Sequence, residues 1–124
     1  MKKVTPEYKM INKGHYSPGM VSNGLLFVSG QLSIDPDTRK VADGGLKEHS
    51  IQALNNLDRV LKEAGLTRES VVQCRVYITD MEHWEEFNTI YGEFFGDHKP
   101  ARAVVPVPEL HFGCLVEIEA VAEL

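Results

Sequence analysis

The 124-residue chain is 43% hydrophobic and 25% charged, values typical of a globular domain that exclude a disordered protein. Its formal net charge of −5 disfavours polyphosphate partners, so nucleic-acid binding is not expected. No apolar run could span a bilayer, no signal peptide is recognisable, and the two cysteines, Cys74 and Cys114, form no CxxC motif. We therefore expect one soluble, cytoplasmic domain over residues 1–124 with reduced thiols.

The first part of the chain predicts a β-hairpin. Two short apolar strands, at residues 19–23 and 25–30, are joined around Asn23-Gly24. This residue pair readily adopts the positive φ angles of a tight hairpin turn. A short additional strand is allowed near Lys3, and the Asp-, Pro- and Gly-containing residues 35–45 are predicted to form a loop.

The middle of the chain predicts a helix followed by a strand. Residues 46–64 have the apolar periodicity of an amphipathic helix, and Gly65 suits a left-handed stop after it. Residues 71–79 alternate as a half-buried strand does. The apolar face of that strand is predicted to consist of Val72, Cys74, Val76 and Ile78.

The last part of the chain predicts a second helix and two more strands. Asp80 is expected to cap the helix, whose regularly spaced aromatic residues are most simply core and which Gly96 ends. The strands are predicted at residues 101–107 and 115–122.

The order β-β-α-β-α-β-β indicates an α+β fold in which two helices cover one face of a mixed β-sheet. The uncovered face would then expose apolar residues from several strands together with Glu117 and Glu119. Such a broad apolar patch is unfavourable in water. Burial against another copy of the chain would resolve it, so we expect a homo-oligomer.

The motifs of several enzyme classes are missing from the sequence. The five histidines show no zinc-ligand spacing, and no GxSxG, GxGxxG or P-loop motif occurs. We therefore expect no metal and no cofactor.

Two features of the last strands indicate chemistry. Arg102 begins an apolar strand, where a partly buried guanidinium needs an anionic partner. From composition alone, that partner is either a structural carboxylate or the carboxylate of a ligand. Glu117 and Glu119 point to one face of their strand, and an interface there would give at least one of them a perturbed pKa.

Five segments distributed over nearly the whole chain form a recognisable set: 14–19, 26–31, 35–36, 100–103 and 116–122. In this order and at this spacing they resemble the signature blocks of the Rid (reactive intermediate/imine deaminase, or YjgF) family. The resemblance implies a chorismate-mutase-like fold and a homotrimer with clefts between subunits. It also implies hydrolysis of 2-imino acids, of the 2-iminobutanoate and 2-iminopropanoate type, to 2-keto acids and ammonia without a cofactor.

The same resemblance implies roles for individual residues. Arg102 would grip the substrate carboxylate, Glu119 would position or activate water, and Tyr16 would flank the pocket. The other matching pocket positions are Ser29, Gly30, Asn88 and Val104.

The chain also departs from the family pattern. His15 and Pro18 stand where many members have proline and glutamine, and Val104 stands where cysteine is frequent. These differences concern substrate preference more than the reaction. Two other functions stay open: a non-catalytic regulatory protein that binds small carboxylic acids in the same cleft, and an endoribonuclease. Against the latter, the sequence offers neither paired histidines with a lysine nor a basic stripe.

Overall fold

The computed structural model describes residues 1–124 as six β-strands and two α-helices, with three short 3₁₀ turns. In chain order the main elements are β1 (Lys2–Val4), β2 (Gly19–Ser22), β3 (Leu25–Leu32), α1 (Leu46–Glu63), β4 (Val71–Ile78), α2 (Trp84–Phe95), β5 (Ala101–Pro106) and β6 (Val116–Glu123). The strands form one mixed sheet in the order β1-β2-β3-β6-β4-β5, in which only β4 and β5 are parallel. The predicted α+β fold is therefore confirmed, including the short first strand.

A single core lies between the sheet and the two helices. Helix α1 packs on β3 and β6 and against α2. Alternate residues of β6 are buried in this core, as the strand pattern predicts, and α2 adds Phe87, Tyr91 and Phe95. Each fully buried large side chain stabilises the fold by roughly 1.5–3 kcal/mol. We call the opposite side of the sheet, which no helix covers, the outer face.

The turn and helix-end residues act as their chemistry predicts. Asn23 and Gly24 both have positive φ angles, 51° and 76°, and join β2 to β3 in a tight hairpin. Gly65, with φ of 76°, follows the end of α1. Asp80 accepts a hydrogen bond from the Glu82 amide, but it caps a 3₁₀ turn, and α2 begins only at Trp84.

The prediction for Val72 was wrong. A β-bulge between Val71 and Gln73 inserts one extra residue opposite β6, and the alternation shifts at that point. As a result Val71 is buried, whereas Val72 is 47% exposed. The rest of the strand follows the predicted pattern, with Cys74, Val76 and Ile78 in the core.

No helix of the structure combines the length and the apolar character that crossing a membrane requires.

A buried histidine joins three elements of the fold. The Nδ1 atom of His49, on α1, accepts a hydrogen bond from the Leu115 amide at 3.2 Å. The Ser33 hydroxyl lies 2.7 Å from the same nitrogen and donates to it. Burial lowers the pKa of His49, although the neighbouring Glu48 charge opposes the shift. The neutral imidazole therefore connects the end of β3 to the start of β6.

We expect this histidine to make the fold sensitive to mild acid. In the unfolded chain the pKa of an imidazole is about 6.5, whereas the pKa of folded His49 is lower. The unfolded state consequently binds the proton first, and the free energy of unfolding falls as the pH drops below about 6.5. Urea unfolding between about pH 7.5 and about pH 5.5 measures this slope. His49→Gln, which keeps an acceptor but cannot titrate, should flatten it. An equal slope in the variant would contradict the assignment.

Candidate active site

An open cleft of about 760 Å³ lies on the outer face, and we call it the outer cleft. It contains four of the residues predicted for the site: Tyr16, Ser29, Gly30 and Glu119. It also contains Glu117. Its size is in the range of small-molecule sites. Further residues on its walls include Asn12, Lys13, Arg39, His111 and Phe112.

A bulge in β3 shapes the base of the outer cleft. Between Val28 and Gln31 the pairing with β6 shifts, so Ser29 and Gly30 leave the regular alternation. The Ser29 hydroxyl donates to the Ser17 carbonyl at 2.6 Å, and its amide donates to Pro18. These bonds hold the segment that carries Tyr16 beside the strand.

Gly30 allows a carboxylate to lie directly on the backbone. A Cβ atom at this position would stand 2.7 Å from Oε2 of Glu117, closer than van der Waals contact permits. Any larger residue would displace the Glu117 side chain. The absence of a side chain at position 30 therefore leaves room for the carboxylate in its present position.

The Glu117 carboxylate is half-buried in the outer cleft. Burial raises its pKa, the negative charge of Glu119 raises it further, and His111 opposes the shift. A carboxyl group whose pKa is raised above the usual range is a better proton acceptor than an ordinary glutamate.

Glu119 has different surroundings on the same face. Its Oε1 atom accepts a 2.6 Å hydrogen bond from the Tyr77 hydroxyl and lies 4.0 Å from a guanidinium nitrogen of Arg75. The hydrogen bond also raises the pKa of Tyr77, since the charged phenolate would meet the carboxylate. Glu119 is therefore held by neighbours, whereas Glu117 has a free carboxylate.

Arg102 lies on the other side of the sheet, beside α2. Its Nη1 atom donates to Oδ1 of Asn88 at 2.9 Å, and its guanidinium stacks over the Tyr91 ring at 4.8 Å. Val104 points to the same side of β5 and packs partly against the core. The guanidinium is therefore held in place by uncharged groups, the Asn88 amide and the Tyr91 ring.

Arg102 forms no ion pair within the chain, because no carboxylate lies within 4.0 Å of it. The single chain therefore supplies no structural carboxylate as a partner for Arg102. Its positive charge faces a second cleft of about 480 Å³, which we call the helix-side cleft and which Asn88, His98 and Lys99 also line. An anion is the partner that this charge lacks.

The predicted site is thus divided into two groups by the sheet. Tyr16, Ser29, Gly30 and Glu119 belong to the outer cleft. Arg102, Asn88 and Val104 belong to the helix side of β5, with β4 between β5 and β6. One chain alone cannot bring the two groups onto one small molecule.

Several residues of the outer cleft were not anticipated. Phe112 and Arg39 both have left-handed backbone angles, with φ of 61° and 62°, although neither is glycine or asparagine. The centroids of the Phe112 and His111 rings are 3.7 Å apart, and both residues line the cleft. The sequence does not predict these positions, because phenylalanine and arginine rarely adopt left-handed backbone angles.

A charged contact secures the walls of the outer cleft. Arg59 of α1 makes a two-pronged ion pair with Asp37, at 2.9 and 3.2 Å, and donates to the Glu7 carbonyl. Asp37 also accepts from the Lys9 amide. The Arg59 hydrogen bonds lower the pKa of Asp37. The loop after β3 and the segment before β2 are therefore fastened to the same helix.

No group of three or more His, Cys, Asp or Glu side chains is arranged to hold a metal ion. The expectation that the protein needs no metal or cofactor stays a prediction.

Comparison with known proteins covers almost the whole chain. The family model described as Endoribonuclease L-PSP matches residues 8–124. A RutC family protein of Aquifex aeolicus is 48% identical over 111 residues, 88% of each chain. The human protein named 2-iminobutanoate/2-iminopropanoate deaminase is 37% identical over 109 residues, 88% of this chain and 80% of the human one.

The fold agrees with solved structures of the same group. The crystal structure of the YjgF gene product from E. coli superposes with a TM-score of 0.91 at 28% identity, covering 99% of this chain and 98% of that one. A match of this extent in both sequence and fold shows the family. The chain belongs to the Rid (YjgF) family, whose model carries the description Endoribonuclease L-PSP.

Proposed function

We propose that the protein hydrolyses 2-imino acids to 2-keto acids and ammonia, in clefts that neighbouring copies of a homotrimer share. The observation that carries the proposal is the division of the site. An arginine without a carboxylate partner and a carboxylate with a raised pKa lie on opposite sides of one sheet. A neighbouring copy can place its Arg102 at the outer cleft and so complete the constellation.

The chemistry requires few groups. Arg102 of a neighbouring copy binds the substrate carboxylate through paired charge-assisted hydrogen bonds, while Tyr16 and the Ser29-Gly30 backbone line the other side. The carboxylate pair Glu117 and Glu119 orients a water molecule, and one of the two accepts its proton during attack on the imine carbon. The carboxylate passes this proton to the nitrogen, the second proton of the added water follows as the C–N bond breaks and C=O forms, and the nitrogen leaves as ammonia.

The two glutamates divide this task by their surroundings. The resemblance implies Glu119 as the residue that handles water. One carboxylate oxygen of Glu119 is already occupied by the hydrogen bond from Tyr77 and lies near Arg75, whereas the carboxylate of Glu117 is free. We therefore assign the proton transfer to Glu117, and to Glu119 the negative charge that raises the Glu117 pKa. The name of the human relative supports the reaction class.

A coupled assay tests the function directly. An amino-acid oxidase generates 2-imino acids in situ, and semicarbazide traps the fraction that is not hydrolysed. We expect the protein to lower the trapped fraction in proportion to its concentration. Unchanged trapping in its presence, with ligand binding retained, would support the non-catalytic regulatory protein instead.

The family description favours one further candidate, an endoribonuclease. Neither cleft has the strongly basic lining that RNA binding needs, and the chain carries a net charge of −5. Cleavage of RNA that persists in protein purified to constant specific activity, and that Arg102→Ala abolishes, would favour this candidate.

The shared clefts require self-association. The outer face exposes apolar side chains, among them Phe27 at 45% and Val105 at 38%, which contact between copies would bury. Sedimentation equilibrium should therefore give about three times the 13.9 kDa chain mass at micromolar concentration. A stable monomer with full activity would rule out a cleft built from two copies.

A further inference from the structure

We propose that Arg39, assisted by Lys13, binds a second carboxylate in the outer cleft, and that the preferred substrates are dicarboxylic 2-imino acids. This inference rests on the proposed function and names the substrate class for that site. The reaction is unchanged: water adds to the imine carbon and ammonia leaves. The second carboxylate, on the substrate side chain, takes no part in the bond changes.

The backbone at Arg39 is held in a costly conformation. Its φ angle of 62° is in the left-handed region, which is unfavourable for a residue with a Cβ atom. Glycine would occupy this position without strain. Strained residues persist where the surroundings determine them, and they concentrate at ligand sites. An arginine here therefore suggests that its side chain is needed.

The turn that carries Arg39 is rigidly connected. The Arg39 amide donates to the Asp35 carbonyl at 2.8 Å, and the Asp35 amide donates to the Lys40 carbonyl at 2.9 Å. Asp37, in the same turn, is fastened to α1 by the two-pronged pair with Arg59. The guanidinium thus extends from a fixed base and not from a free loop.

The Arg39 charge has no partner within the chain. No carboxylate lies within 4.0 Å of Arg39 or of Lys13, although both side chains line the outer cleft together with Tyr16. Only four cations of the fold, Arg59, Lys62, Arg68 and Arg75, have a carboxylate within 4.0 Å, so Arg39 and Lys13 are distinguished by their place in the cleft. Two unpaired cations in one small-molecule cleft are suited to an anionic group.

The charges in the outer cleft are arranged to orient a dianion. Glu117 and Glu119 repel any carboxylate from the base of the cleft, so the two ends of the substrate must reach cations elsewhere. Arg102 of a neighbouring copy takes the carboxylate beside the imine carbon. Arg39 and Lys13 then take the carboxylate of the side chain. A substrate with an apolar side chain would leave both cations unused.

A matched pair of ligands isolates this second carboxylate. 2-Oxoglutarate and 2-oxopentanoate share a five-carbon skeleton and differ by a terminal carboxylate in place of a methyl group. Calorimetry with the assembled protein should show 2-oxoglutarate binding tighter by about tenfold, which corresponds to about 1.4 kcal/mol. The same preference is expected in kcat/KM for the imines that amino-acid oxidases form from L-glutamate and L-norvaline.

Three variants test the residues. Arg39→Gly removes the guanidinium, suits the left-handed backbone and should reduce the preference to about twofold or less without lowering the Tm. Arg39→Lys keeps the charge and should retain part of the preference. Lys40→Ala, which removes a neighbouring cation outside the cleft, should leave the preference unchanged.

The outcomes separate this inference from the proposed function. Equal binding of both acids by the unaltered protein, or a full preference in Arg39→Gly, would overturn the second-carboxylate site. Equal kcat/KM for the imines derived from L-glutamate and L-norvaline would also overturn the second-carboxylate site, but it would support the deaminase activity. An Arg39-dependent preference in binding, without turnover of either imine, would support the site and reject the deaminase.

Discussion

Replacing Arg102 with alanine is expected to lower kcat/KM for 2-imino acids by roughly 30- to 1,000-fold, because a charge-assisted pair worth on the order of 2–4 kcal/mol is lost. The fold should persist, since the guanidinium contacts only neutral groups within its own chain. Coupled turnover assays measure the loss. Thermal unfolding and sedimentation of the same sample establish that the assembly is intact.

Two further variants show which property of Arg102 matters. Arg102→Lys should restore little activity, because an ammonium cannot reproduce the planar two-pronged contact with a carboxylate. Asn88→Ala removes one hydrogen bond to the guanidinium but keeps the charge, and it should cause a smaller loss. Undiminished turnover in Arg102→Ala would remove this residue from the mechanism.

Replacing Glu117 with glutamine should lower kcat by about 10²- to 10⁴-fold, the usual contribution of a positioned proton acceptor. The amide has nearly the same shape, so the close approach to Gly30 is kept. Glu119→Gln is the matched variant, and its amide oxygen can still accept from Tyr77. A large loss in Glu119→Gln with a mild loss in Glu117→Gln would favour the assignment that the family resemblance implies.

The pH profile supplies an independent readout. Glu117 works as a base only when deprotonated, and its pKa lies above that of an ordinary glutamate. Activity should therefore decline on the acidic side at a higher pH than an ordinary carboxylate would give. Because the charge of Glu119 raises this pKa, Glu119→Gln should shift the acidic limb to lower pH. An unchanged limb would contradict the coupling between the two carboxylates.

Most of the fold follows from local sequence patterns. The Asn23-Gly24 turn, the stripe of α1 and the alternation of β6 each depend on chemistry within a few residues, and all three are confirmed. Val72 shows where such patterns fail. The bulge at Val72 depends on how β4 pairs with β6, a strand that is distant in sequence. The alternation of residues within β4 alone therefore cannot predict it.

The candidate site was predictable only in part. Residue type indicated that Arg102 and the glutamates carry chemistry, but not that the sheet separates them. The different surroundings of Glu117 and Glu119 arise from Gly30 and Tyr77, which lie on other strands. Arg39 escaped notice because a loop arginine is ordinarily solvated, and only the folded turn reveals its strained backbone and its place in the cleft.

The separation of Arg102 from Glu117 by the sheet has an evolutionary consequence. Under the shared-cleft proposal, no single copy contains a complete site. A substitution that only weakens the contact between copies therefore also lowers the catalytic activity. Selection for catalysis then maintains the outer face, including residues such as Val105 that line neither cleft. Under this proposal, amino-acid substitutions at this surface are constrained in the same way as substitutions at the reacting groups. The contact between copies and the catalytic activity must therefore change together during evolution.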